Sequence, residues 1–300
     1  MQERGDPNEG SRDGGRSLSE RARAGAARFA GHHLGARGTE RLVRMLYDPD
    51  RRRHSFTSGI FELRDGSRMA LDTRSFVEWQ LFVHGRYEPH LQREYLAVLR
   101  AGDCAIDVGA NVGAHTVPLA RAVSPGTVVA VEPFAGVVER LRRNIALNEL
   151  SDVVRIVEKA ALERSGTTTF YPPREEAANQ AQGSASSFAH LRHDGISIPA
   201  TSLDDLVTEL GLGRVAFVKI EAQGWEHEVL LGAAALLERD RPTVAFRYDL
   251  GILAQVAEHR PWPPPLPEGY RLFELSGRGR VELAGAPKRS CVILCKPPEA

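Results

Sequence analysis

Asp107 closes a short apolar run, and Gly109 and Gly113 follow at a spacing that suits a tight turn from a strand into a helix. Glycine serves there because the atoms of a ligand have to approach the backbone closely. Asn111 stands where the longer glycine fingerprint would carry a third glycine. About twenty residues on, Glu132 and Pro133 end a second apolar run, at the place where an acid can accept both hydroxyls of a ribose. An acid inside the turn, Asp107, repels a pyrophosphate and welcomes an ammonium group. The loop therefore suits S-adenosylmethionine, which has an amino group, a sulfonium and no phosphate, better than a dinucleotide. His115 and Thr116 open the following helical pattern and suit the methionine carboxylate.

A second concentration of chemistry lies in FVKIEAQGWEHEVL, residues 217–230. Lys219 and Glu221 sit at the end of an apolar run, and alternation puts them on one face of a strand. Gly224 then turns the chain into a helical pattern that begins at Trp225 and carries His227. Methyl transfer from a sulfonium requires alignment of nucleophile and methyl, and a hydroxyl nucleophile must also lose its proton. Glu221 is the first candidate for that contact, as base or orienting acceptor, and His227 the second. Lys219 is a candidate partner in the same chemistry, with an ion pair to Glu221 as its alternative role.

The elements that must position these groups alternate. Apolar strand patterns at 104–109, 127–133, 153–162, 215–221, 242–250, 269–275 and 289–296 are separated by helical patterns at 112–123, 136–150, 201–210 and 225–240. Strands alternating with helices predict an α/β fold: a mostly parallel, seven-stranded sheet with helices on both faces. No helix separates the last two strands, which predicts an antiparallel hairpin at one edge. The stretch 171–200 is long and polar, as a lid or binding loop would be, and includes His190 and His193. Ahead of the sheet, 1–40 reads as a flexible and then helical extension, polar and Gly-rich over its first twenty or so residues. Residues 41–100 read as a lead-in module, with a hairpin at 60–72 and helices at 75–85 and 88–100, and 101–300 as the ligand-binding domain.

Formal net charge is zero over 300 residues, so nothing global selects nucleic acid or an anionic membrane as partner. No apolar run is long enough to span a membrane, and the first residues do not have the form of a secretory signal. Cys104, Cys291 and Cys295 lack metal spacing and read as reduced core thiols, which together with these features predicts a cytoplasmic protein. Lysine occurs only at 159, 219, 288 and 296, arginine supplying the other basic positions, so Lys219 stands out.

Over about two hundred positions the chain resembles the FkbM-type family of class I S-adenosylmethionine-dependent methyltransferases, a Rossmann-like fold. The resemblance rests on GRYEPH (85–90), GDCAIDVGANVGAHT (102–116), VVAVEP (128–133), LRRNIALN (141–148), TSLDDL (201–206), VKIEAQGWEHEVLLGA (218–233) and RP (241–242). It implies a strand inserted antiparallel next to the sheet edge, cofactor contacts through 107–113, Glu132 on the ribose, and Glu158 to Ala160 beside the adenine. It also implies that Glu88 reaches the methionine end of the cofactor, and that the acceptor is a hydroxyl on a sugar, glycan or natural product. The chain departs from the family pattern Lys-Ile-Asp-x-Glu-Gly-x-Glu at Glu221 and Gln223, which weakens any metal role, and no metal is expected. A degenerate, partner-binding version of the fold and, behind it, an NAD-dependent oxidoreductase are the rival readings, and nitrogen remains open as the acceptor atom.

Overall fold

The computed structural model describes residues 18–34, 36–47, 57–171, 195–254 and 261–298. Two compact units divide the described chain between Tyr87 and Glu88. In the first, helices α1 (Leu18–His33) and α2 (Ala36–Leu46) precede a hairpin of β1 (Ser58–Glu62) and β2 (Arg68–Asp72). The hairpin turns at Gly66, whose φ of 77° needs glycine, and Asp65 Oδ1 accepts from Ser67 N and Oγ. Helix α3 (Phe76–His84) ends at Gly85 in the left-handed region, and its Trp79 is fully buried with Nε1 donating to Tyr47 O.

The second unit begins with α4 (Pro89–Val98) and then alternates: β3 (Cys104–Val108), α5 (Thr116–Val123), β4 (Thr127–Val131), α6 (Ala135–Ala146), β5 (Val154–Val157). A side sheet follows, made of β6 (Ala160–Ala161), β7 (Gly166–Phe170) and β8 (Ile196–Thr201) in the order β6-β8-β7. The chain returns through α7 (Leu203–Glu209), β9 (Val215–Ile220), α8 (Glu226–Leu231), α9 (Ala234–Asp240), β10 (Thr243–Tyr248) and α10 (Leu250–Leu253). It closes with β11 (Arg271–Ser276), β12 (Gly279–Glu282) and β13 (Cys291–Lys296).

The main sheet runs β12-β11-β13-β10-β9-β3-β4-β5. Its centre, β10 to β5, is parallel, and β13 enters antiparallel between β10 and β11. Strand β3 is buried along its whole length, which is why it reads as an apolar run with a single charge at Asp107. One face of the sheet is covered by a core that includes Leu91, Tyr95, Val117, Leu141 and Ile145 of α4, α5 and α6. The other is covered by Leu203, Leu206, Val229, Leu236 and Leu237 of α7, α8 and α9. Each such side chain contributes about 1.5–3 kcal/mol through burial.

The α/β architecture with helices on both faces is as expected, and several details differ. The sheet has eight strands among the described residues, because β12 returns on β11 as a hairpin that the sequence reading left out. The strand expected at 153–162 is two, β5 and β6, which join different sheets. The helix expected at 225–240 breaks at Gly232, where any Cβ would stand 2.2 Å from the carbonyl oxygen of Leu162. The polar stretch expected at 171–200 ends in β8, paired antiparallel with β7, while residues 172–194, with His190 and His193, lie outside the described residues, as does the start of the N-terminal extension.

Candidate active site

Strands β3, β4, β9 and β10 end on the same edge of the sheet, and backbone hydrogen bonds carry the pairing just past them. Gly109 N and Ala110 N donate to Val131 O, Glu221 N donates to Val108 O, and Glu132 N donates to Val157 O. Gly109 has φ 71°, and a Cβ there would lie 2.1 Å from the carbonyl oxygen of Glu221. Only glycine lets the two strand ends close to that distance. Asn111 also holds a left-handed conformation, φ 51°, one that asparagine tolerates, and its Oδ1 accepts from Val112 N. Gly113 follows at φ 94°, where a Cβ would stand 3.0 Å from the side chain of Leu141. The loop is tied from behind by Asn144, whose Nδ2 donates to Val112 O at 2.8 Å.

Asp107 is wholly buried, with Lys219 as its cross-strand neighbour. Thr116 Oγ1 donates to Asp107 Oδ2 at 2.7 Å, and Lys219 Nζ stands 3.1 Å from Oδ1. Lys219 Nζ also donates to Gly109 O at 3.0 Å and Val108 O at 3.3 Å, and lies 3.5 Å from Glu221 Oε2. Burial works against its charge, but the carboxylates of Asp107 and then Glu221 outweigh that, and its pKa is raised. Lys219 is thus more than a partner for Glu221: it fastens the turn after β3 to the end of β9.

Glu132 accepts from Asn111 N through Oε2 and from Phe134 N through Oε1, both at 3.0 Å. Burial pushes its carboxyl up to about 7, against the lowering effect of those two hydrogen bonds. Each oxygen keeps a lone pair for a further donor. Pro133 follows, half-buried. Glu226 is similarly buried and raised to about 7, and it shapes the turn between β9 and α8 by accepting from Ala222 N and Gly224 N. Within that turn Gln223 has φ 53° and Gly224 φ 98°.

His115 and Thr116 face inward: Thr116 is engaged by Asp107, and His115 is 2% exposed with Nε2 3.2 Å from Glu88 Oε2. Glu88 caps α4 in a left-handed conformation, φ 42°, and its other oxygen takes Arg247 Nη2. Burial acts to raise the Glu88 carboxyl, but the hydrogen bond from His115 and the charge of Arg247 overcome it and hold it at about 2. Arg247 stands at the end of β10, one step beyond the Phe246–Ile220 pair, which brings it beside Glu221. Its Nη2 is 3.6 Å from Glu221 Oε1. The sequence reading missed Arg247, Glu226 and Asn144 as site residues, although each falls in a segment that it singled out.

The structure therefore gathers Glu88, Asp107, Gly109, Asn111, Gly113, His115, Thr116, Glu132, Lys219 and Glu221 at one edge of the sheet. His227 is half-buried in the first turn of α8, directly after Glu226. Glu158 is exposed at the end of β5 and paired with Arg142, and Ala160 is buried in β6. No group of three or more His, Cys, Asp or Glu with metal-binding geometry occurs among the described residues. No described helix is long and apolar enough to cross a membrane.

The chain has relatives whose descriptions are informative. It is 25% identical over 163 residues to the 2-O-methyltransferase NoeI of Sinorhizobium fredii, an alignment covering 50% of this chain and 66% of that protein. It is 27% identical over 204 residues to the AMB antimetabolite synthetase AmbE of Pseudomonas aeruginosa, covering 57% of this chain but 9% of the synthetase. The chain thus spans less than two thirds of either relative. Among solved structures, the methyltransferase FkbM of Methylobacillus flagellatus KT matches 72% of this chain and 52% of its own, at 14% identity and a TM-score of 0.39. The family model described as the methyltransferase FkbM domain matches residues 107–270, which span the site from Asp107 through Arg247. With more than half of its length in that match, the chain belongs to the FkbM methyltransferase family.

Proposed function

We propose that the chain is an S-adenosylmethionine-dependent methyltransferase acting on a hydroxyl oxygen of a sugar, glycan or natural product. The observation that carries this reading is the charge at the strand ends, where four carboxylates, Glu88, Asp107, Glu132 and Glu221, surround two permanent cations, Lys219 and Arg247. That excess of negative charge suits a ligand carrying a sulfonium and an ammonium, and opposes a pyrophosphate.

The residues fit such a cofactor in two further respects. Gly109 lets the turn after β3 close against the end of β9, which sets Asp107 and Glu221 at one edge, and Glu132 offers one lone pair on each oxygen to a pair of ribose hydroxyls. When bound, S-adenosylmethionine supplies an activated methyl group whose leaving group is a neutral thioether. The protein's contribution is position. Lys219 holds the cofactor turn and Glu221 in fixed relation, and Glu221, 20% exposed, accepts the acceptor hydroxyl's hydrogen bond and takes its proton as the oxygen is methylated. Oxygen as the acceptor atom is favoured by that carboxylate and by the relative described as a 2-O-methyltransferase.

The test is transfer of a tritiated methyl group from S-adenosylmethionine to a panel of hydroxylated saccharides, with amines as the comparison. Labelled ether products are expected, and Glu221→Gln is expected to lower kcat by roughly 10²–10⁴ at unchanged cofactor affinity. Labelled amines in place of ethers, or full activity of the Gln variant, would overturn the assignment.

A further inference from the structure

We propose that Arg247 and Glu88 are positioning residues for Glu221, Glu88 acting by holding Arg247. This deepens the reading of the site given above and rests on it only for the role of Glu221.

The argument starts with the two oxygens of Glu221. Lys219 Nζ stands 3.5 Å from Oε2 and Arg247 Nη2 3.6 Å from Oε1, so the carboxylate lies between two cations, one at each oxygen. Lys219 is fixed by Asp107 and by the carbonyls of Val108 and Gly109. Arg247 is fixed by Glu88, whose side chain is 10% exposed and whose carboxylate is engaged on both sides, Oε1 by Arg247 and Oε2 by His115. These two partners hold the Glu88 carboxylate in place, one at each oxygen. Glu88 and Arg247 are 159 positions apart in the sequence, and the contact joins the start of α4 to the end of β10. One cation on each oxygen restrains rotation of the Glu221 carboxylate and turns its remaining lone pairs outward, as an acceptor hydroxyl requires.

Water-soluble carbodiimide labelling of Glu221, followed by mass spectrometry of its peptide, reads this clamp without any acceptor. The proteins are full-length wild type, Arg247→Met, Arg247→Lys and Glu88→Gln, with the other carboxylates as internal standards and a thermal melt to confirm folding. Arg247→Met is expected to label several-fold faster at Glu221 alone, since the guanidinium no longer stands against Oε1 and the carboxylate is free to turn toward the reagent. Arg247→Lys should restore slow labelling, and Glu88→Gln should fall between wild type and Arg247→Met. S-adenosylhomocysteine affinity, measured by calorimetry, should stay within about three-fold of wild type in the two Arg247 variants, well under the effect of losing a direct charged contact. Unchanged Glu221 labelling in folded Arg247→Met, or wild-type labelling in folded Glu88→Gln, would overturn the proposal. Should wild type bind no S-adenosylhomocysteine, the methyltransferase reading fails, while labelling still decides whether the clamp exists.

Discussion

Glu132 carries a chemical signature that the ligand should change. Its carboxyl is raised to about 7, chiefly by burial, with two backbone donors and the charge of Lys219 in opposition. Ribose hydroxyls donating to it favour the ionised form, so binding lowers its pKa and releases a proton. The sign follows: affinity for S-adenosylhomocysteine should rise between about pH 6 and 8 and level off above the cofactor-free value. Calorimetry in buffers of different ionisation enthalpy would detect the released proton near pH 7, and Glu132→Gln should abolish both the release and the slope. A flat pH profile in the wild type would remove Glu132 from the ribose. Asp107, Glu132, Lys219 and Glu221 were legible as site residues because each is a polar group at the carboxyl end of an otherwise apolar strand. Arg247 meets the same description, yet arginine fills nearly every basic position of the chain and carries little signal. The inward turn of His115 and Thr116 was not legible, because it depends on Glu88 and Asp107 being within reach.

Among the elements, the junction between β3 and α5 is the one on which the site depends. Gly109 and Gly102 both hold positive φ, 71° and 90°, but nothing lies within 4 Å of a Cβ built on Gly102. The pair separates conformational strain from close approach. Gly102→Ala should cost about 1–2 kcal/mol, the left-handed penalty alone. Gly109→Ala should cost a further 1–3 kcal/mol or so, because the backbone oxygen of Glu221 cannot move aside, and should lose cofactor binding. Urea midpoints and S-adenosylhomocysteine titrations of both variants check this, and equal costs would mean that the strand ends are free to part. Sequence periodicity found the parallel strands and most helices because each buries one apolar face or run. It missed β7, although Thr167, Thr168 and Thr169 are β-branched, and it missed the break at Gly232, where the carbonyl of Leu162 lies against the glycine.

At the scale of the molecule, the parallel centre of the sheet converges charges from four strand ends and one helix start on a single edge, where the chain's zero net charge gives no hint of a local excess of carboxylates. On the function proposed, that local excess selects a cationic cofactor. The most direct measurement is isothermal titration of the whole chain with S-adenosylmethionine and S-adenosylhomocysteine, with NAD beside them. The account predicts saturable binding of both sulfur compounds, with Kd on the order of micromolar, and no heat from NAD. Binding of NAD, or of none of the three, would contradict it.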